Sequence, residues 1–239
     1  MSAKMILLPF DKNCITAQFI SRYKRFSIEA RYQGKRIWAH TNNTGSMLGL
    51  LRPGQTIFLS CSNNPKRKLP YTLELVKVHD MWVGVNTLTP NRILKMAWKH
   101  HRIQDLKAYD QFYSEVKYDN CRFDACVQNS RKKMWIEAKN VTLVEDEIAA
   151  FPDAITTRGQ KHLETLIQMK NNHIETALFF LIQRTDGKCF APADYIDLNY
   201  SNLFYKAIQA GVKIWPYQAV ISTEGIGMGE KLGILEQQY

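Results

Sequence analysis

The chain has 239 residues, 45% hydrophobic and 23% charged, which is ordinary globular usage with room for one large domain or two small ones and excludes a low-complexity or disordered chain. Its formal net charge of +10 is unevenly spread: residues 1–110 hold 18 Lys+Arg against 6 Asp+Glu, and residues 111–239 hold 14 against 16. A basic front joined to a mildly acidic rear suits phosphate binding in the first and placement of carboxylates in the second; a merely solvated basic surface is the plain alternative. Cys14, Cys61, Cys121, Cys126 and Cys189 form no CxxC or Cys/His pair at structural-zinc spacing, so reduced thiols are expected. The apolar run before Pro9 is too short for a signal peptide, and no stretch approaches membrane-spanning length, so a cytoplasmic protein with no membrane partner is expected.

Period-two alternation over Phe26–Tyr32, a Gln33-Gly34 turn and Arg36–His40 read as a hairpin, with further strands at Gln55–Ser60, Tyr71–Val78 and Trp82–Asn86. About five short strands in this stretch suggest a small barrel of the OB type. From Asn91 to Lys107 the texture becomes helical, with Ile93 and Ala97, and Leu94 and Trp98, four apart on an apolar face. The junction therefore falls near residue 87, giving domains 1–86 and 87–239. Strands follow at Arg122–Val127 and Met134–Val141. Next comes a helix announced by Thr157-x-x-Gln160 in capping-box form, then an apolar strand at Thr176–Ile182. A helix over Tyr200–Ala210 closed by Gly211, and a strand Val212–Ile221 interrupted by Pro216, complete a mixed α/β sheet with helices on its faces.

The constellation with chemical content is Asp124 on the first of those strands and Glu137-Ala138-Lys139 on the next. Asp124 and Glu137 stand 13 positions apart, enough for a strand, a turn at Gln128-Asn129-Ser130 and a return strand that brings the two carboxylates together. Glu137 and Lys139 are two apart and share a face. Asp124, Glu137 and the Ala138 carbonyl match the oxygen ligands that Mg²⁺ prefers, with Mn²⁺ as the other choice, and Lys139 would offset charge on a phosphorane-like transition state. Glu115 is a further candidate carboxylate, and Gln160 and Lys161 open a helix whose N-terminus could face a phosphate. The bland reading of all this is a surface hairpin with a common Glu/Lys pair. Phe151-Pro152-Asp153 reads as a turn into the helix.

The runs Arg22-Tyr23-Lys24-Arg25-Phe26, Asn43-Thr44-Gly45-Ser46-Met47, Asn64-Pro65-Lys66-Arg67-Lys68, Trp82–Thr87, Arg122-Phe123-Asp124, Glu137–Leu143, Phe151–Ala154 and Arg158–Leu163 together resemble the sugar fermentation stimulation protein A family. The resemblance runs in order from about residue 20 to 220. It implies an N-terminal OB-like β-barrel followed by a PD-(D/E)XK nuclease-like α/β domain, with DNA as ligand and the nuclease pattern on Asp124, Glu137 and Lys139. Two departures stand out, Thr41-Asn42 for the usual Cys-Pro and Asp119-Asn120-Cys121 on the approach to Asp124; neither removes a candidate ligand.

On the barrel, Arg22, Lys24 and Arg25 flank Tyr23 and Phe26, and Lys66, Arg67 and Lys68 sit in a loop, so cations for phosphate alternate with rings. Phe26 is expected in the barrel core. Asn43, Thr44 and Ser46 belong either to a phosphate-gripping loop or to a plain turn. The reading is a DNA-binding protein of low sequence specificity, with a Mg²⁺-dependent phosphodiester hydrolase site and with a homo-oligomer left open. Its alternatives are a non-catalytic DNA-binding regulator of sugar-utilisation genes on a nuclease scaffold and an RNA-binding or RNA-processing protein.

Overall fold

The computed structural model describes residues 6–47 and 49–236. The barrel is built from β2 (Ile15–Tyr23), β3 (Ser27–Tyr32), β4 (Lys35–His40), β5 (Thr56–Cys61), β6 (Tyr71–Val78) and β7 (Met81–Gly84), in the order β4-β3-β2-β5-β6-β7. Parallel pairing of Ala39 with Tyr71 and His40 with Thr72 closes β4 onto β6. This closure leaves five strands in the ring, the OB arrangement. Gln33 and Gly34, both at positive φ (49° and 77°), make the β3–β4 turn that a two-residue hairpin loop demands. The barrel interior is apolar, with Ile28, Ala30, Ala39, Ile57, Leu59 and Leu73 buried.

The second unit centres on a seven-stranded sheet of β1 (Ile6–Pro9), β8 (Gln111–Tyr118), β9 (Cys121–Gln128), β10 (Lys133–Val141), β13 (Glu175–Ile182), β15 (Lys213–Ser222) and β16 (Gly225–Lys231), ordered β1-β16-β15-β13-β10-β9-β8. Its middle strands β10, β13 and β15 are parallel. β13 reads as a continuous apolar run because both its faces are covered. Ala177, Phe179 and Leu181 pack toward α1 (Thr89–Lys99), and Leu178, Phe180 and Ile182 pack toward α2 (Thr157–Asn171) and α3 (Leu198–Gln209). A small sheet of β11 (Leu143–Glu145), β12 (Ile148–Phe151), β14 (Cys189–Pro192) and β17 (Gly233–Ile234) lies beside it. Among the described residues no helix is long and apolar enough to cross a membrane, and all five cysteines are free.

Four expectations are corrected. β1 pairs with β16, so the chain start serves the second sheet rather than the barrel. The helix begun near Asn91 ends at Lys99 instead of Lys107: His101 adopts φ 53°, its N–H bonds the Trp98 carbonyl and that of Arg102 the Ala97 carbonyl, a double C-terminal cap without glycine. α2 is capped by Thr156, whose hydroxyl accepts the Gly159 N–H, rather than by a Thr157/Gln160 box. β15 runs through Pro216, whose carbonyl accepts the Leu232 N–H, so the proline does not interrupt it.

The two units share a core. Phe58, Leu75 and Trp82 of the barrel pack with Ile93 and Leu94 of α1 and with Phe179 and Leu181 of β13. The tightest seam is at Gly84, whose N–H donates to the Gln183 carbonyl; a Cβ there would lie 1.9 Å from Gln183 Oε1 and 3.2 Å from its Cβ. Gln183 is fully buried, and its amide nitrogen bonds Asn140 and the Asn86 carbonyl, so it cannot swing away without losing both. Gly84→Ala is therefore expected to destabilise the protein by roughly 1–3 kcal/mol, read as a lowered Tm, with Gln183→Ala added to it restoring part of the loss; an unchanged Tm for the single variant would show the seam to be slack.

Candidate functional site

β9 and β10 pair antiparallel from Lys133/Gln128 to Ile136/Ala125 and then part. The next two residues, Asp124 and Glu137, are held where the strands diverge. The Asp124 carboxylate accepts the Ala138 N–H at 2.8 Å and the Asn91 side-chain amide, from the first turn of α1, at 2.7 Å. Glu137 is 4% exposed and points toward α2. Its Oε1 takes the Lys139 ammonium at 2.7 Å and also meets His162 Nδ1, whereas its Oε2 is buried without a partner.

The electrostatics oppose one another. Burial and the charge of Glu137 push the Asp124 carboxyl above its ordinary range, against the pull of Ala138, Asn91 and Lys139. Burial would raise Glu137 too, but Lys139 and His162 hold it below the usual carboxylate range. Two carboxylates that feel each other's charge, one with an orphaned buried oxygen, form a donor set that a hard divalent cation fits. Among the described residues no group of three His, Cys, Asp or Glu side chains converges as a metal cage, so two carboxylates and the Ala138 carbonyl are the available oxygens.

Ala138 and Lys139, next along the strand from Glu137, line a cavity of about 220 Å³ together with Asn140, Thr142, Phe151 and Asp153, with Asn43 of the barrel and with Thr87 at the junction; neither Asp124 nor Glu137 is part of its wall. The loop holding Asn43 is fastened from both directions. Arg22 donates to the carbonyls of Arg25, Asn43 and Gly45, the Asn43 side chain accepts the Gly45 N–H, and Ser46 Oγ donates to Asp153. Arg22 thus spends its guanidinium inside the protein; Thr44, Lys24, Arg25, Lys66 and Lys68 are exposed, and Arg67 is half-buried.

The structure does not bring Glu115 to the pair. It lies within β8, opposite Asp124, at φ 56°, and its carboxylate goes to the exposed Arg122 at 2.5 Å. Gln160 donates to Asp197, the cap of α3, and Lys161 is exposed beside a separate hollow lined by Tyr118 and Glu164. Sequence reasoning missed His162 and Asn91. His162 is the polar member of the buried stripe Gly159, His162, Leu163, Leu166, Met169, a signal readable as helical spacing; Asn91 left none, because only the approach of α1 to β9 gives it a partner. Phe26, expected in the core, is 50% exposed.

An OB-like barrel joined to a mixed α/β domain, with helices on both faces of its central sheet, defines the class of protein. A family model described as the Sugar fermentation stimulation protein RE domain matches residues 88–225, and one described as the SfsA N-terminal OB domain matches residues 20–85. The chain belongs to the sugar fermentation stimulation protein family. It is 52% identical over 229 residues to a sugar fermentation stimulation protein homolog of Syntrophobacter fumaroxidans, covering 96% of this chain and 88% of that one. The homolog of Maridesulfovibrio salexigens is 51% identical over 235 residues, covering 97% and 98%. The solved structure of Pyrococcus furiosus SfsA in complex with Ca²⁺ superimposes with a TM-score of 0.90 at 22% identity, over 97% of this chain and all of that one, which shows a common fold.

Because the Asp124 pKa is raised, the folded chain binds this proton more tightly than the unfolded chain does. In the metal-free protein, stability then falls as pH rises from the unfolded-state to the folded-state pKa of Asp124, and the penalty persists above it. Asp124→Asn is expected to raise the Tm of metal-free protein at neutral pH. Added Mg²⁺ or Mn²⁺ should stabilise the wild type and leave that variant unmoved; equal metal-induced shifts in both would remove Asp124 from the cation site.

Proposed function

We propose that the protein binds DNA with low sequence specificity and hydrolyses a phosphodiester bond at Asp124, Glu137 and Lys139 with a bound Mg²⁺ or Mn²⁺. The observation that carries this reading is the buried, unpartnered Oε2 of Glu137 beside a second carboxylate whose ionisation its charge opposes. A divalent cation would satisfy that oxygen and relieve the repulsion, and the Ca²⁺ of the Pyrococcus relative is a hard ion of the same kind. When bound, such a cation supplies polarisation of a phosphoryl oxygen and acidification of water.

The chain's own residues do the rest. Asn91 and the Ala138 N–H aim Asp124, and His162 and Lys139 hold Glu137 ionised and in place. Lys139, at the wall of the cavity, also presents positive charge where a phosphoryl group gains negative charge. Residues 1–86 carry the basic barrel and 87–239 the hydrolytic unit, with β1 reaching across; free thiols suit a cytoplasmic setting. The exposed Lys24, Arg25, Lys66 and Lys68 supply phosphate contacts, which position DNA without reading it.

The direct test incubates labelled single- and double-stranded DNA with purified protein in Mg²⁺ or Mn²⁺. Lys139→Ala is expected to lower kcat about 100-fold or more, and Asp124→Ala to abolish cleavage, with DNA binding retained in both. If the wild type cuts nothing while all three proteins bind alike, hydrolysis is refuted and a non-catalytic regulator remains.

A further inference from the structure

The outward face of β2, β3 and β4 carries aromatic surface that the barrel core does not use. Tyr23 is 52% exposed, Phe26 50% and Trp38 41%. Strand register sets them side by side: Tyr23 and His40 both oppose Ser27, and Trp38 opposes Glu29 on the same face. The Tyr23 and Trp38 rings stand 5.4 Å apart, and Phe26 lies nearly parallel to His40, 6° between planes at 6.5 Å. On the same face the buried Glu29 carboxylate accepts a hydrogen bond from Ser21 Oγ at 2.9 Å and pairs with the Arg36 guanidinium at 3.1 Å, which draws Arg36 toward the rings.

The charge around these rings identifies the occupant. Between Gln18 and His40, leaving aside the loop-bracing Arg22, stand the exposed Lys24, Arg25, Arg31, Lys35 and Arg36, with Glu29 as the single carboxylate. An apolar protein partner has no use for that imbalance, whereas a polyanion that also offers flat rings does. Duplex bases are stacked on each other and hidden from such a face; unpaired bases are not.

The face also leads somewhere. His40 bonds the Asn42 side chain, Thr87 Oγ1 donates to the Asn42 carbonyl, and Asn43 and Thr87 line the cavity that Lys139 walls. Resting on the hydrolytic reading of that cavity, we propose that Trp38, Tyr23 and Phe26 form a stacking platform for an unpaired nucleic-acid strand and deliver that strand to Asp124, Glu137 and Lys139. The substrate class is single-stranded nucleic acid or an unpaired tail, taken with little regard for sequence because every base has a ring face.

Binding measured in EDTA separates the platform from catalysis. Fluorescence anisotropy would compare a labelled deoxyoligonucleotide, the ribo-oligonucleotide of the same sequence and the DNA duplex, against wild type, Trp38→Ala, Trp38→Phe and Phe26→Ala. Trp38→Ala is expected to weaken unpaired strands about ten-fold and duplex less than about two-fold, with Trp38→Phe recovering most of the loss. The two single-stranded probes decide between DNA and RNA. Equal weakening of duplex and single strands, or no weakening by either alanine variant, would overturn the platform; a Tm check confirms that these exposed substitutions leave the fold intact. A wild type that binds single strands through these rings but cuts nothing in Mg²⁺ or Mn²⁺ would instead count against the hydrolytic reading alone.

Discussion

A carboxylate taken out of water beside another carboxylate is the constraint on which the rest of the site depends. Glu137 is buried on a central strand of the sheet, where an ion without partners would be strongly disfavoured. Lys139, two residues along the same strand, and His162, from the helix packed over that face, hold it ionised. One oxygen is still left bare. Core packing alone would not select that arrangement, since a leucine there would bury apolar surface at no electrostatic cost; the residual need for positive charge is what makes the place suitable for a cation.

The strand fork makes this possible. Had β9 and β10 continued to pair beyond Ile136/Ala125, the Ala138 N–H would bond a neighbouring strand's carbonyl. Instead it bonds the Asp124 carboxylate, which draws the second acid to the first. α1 then closes the arrangement through Asn91, and α1 is itself wedged between barrel and sheet by a core that both supply. Local chemistry and domain docking are therefore coupled: the Gly84–Gln183 seam ends on Asn140, a neighbour of Lys139 that lines the same cavity.

Barrel and sheet contribute different physics to one surface. The barrel brings long cations and exposed rings, which favour an extended polyanion over a wide area; the sheet brings two desolvated acids at one point. Ser46 bound to Asp153, and Asn43 facing the cavity, tie the two regions together over a few side chains. Arg22 shows the division within the barrel itself, its guanidinium bracing the Asn43 loop while its neighbours Lys24 and Arg25 stay in solvent.

What the sequence determined by itself was whatever depends on near neighbours in the chain. Alternation and a Gln-Gly turn identified the β3–β4 hairpin, the unbroken apolar run identified β13, and two-residue spacing put Glu137 and Lys139 on one face. The charge asymmetry between the halves was likewise legible, because it is a count. Tertiary structure alone decided what depends on residues far apart. β1 joins the second sheet because its partner β16 lies more than two hundred positions on, and α1 stops at Lys99 through a backbone cap that histidine does not announce. The same holds for Asn91 on Asp124, and for Phe26, whose alternation fitted a buried strand position while the β2–β3 turn turns it outward. A side chain's type and spacing state what it can bond; only the packed fold states whether water or another residue will be there to meet it.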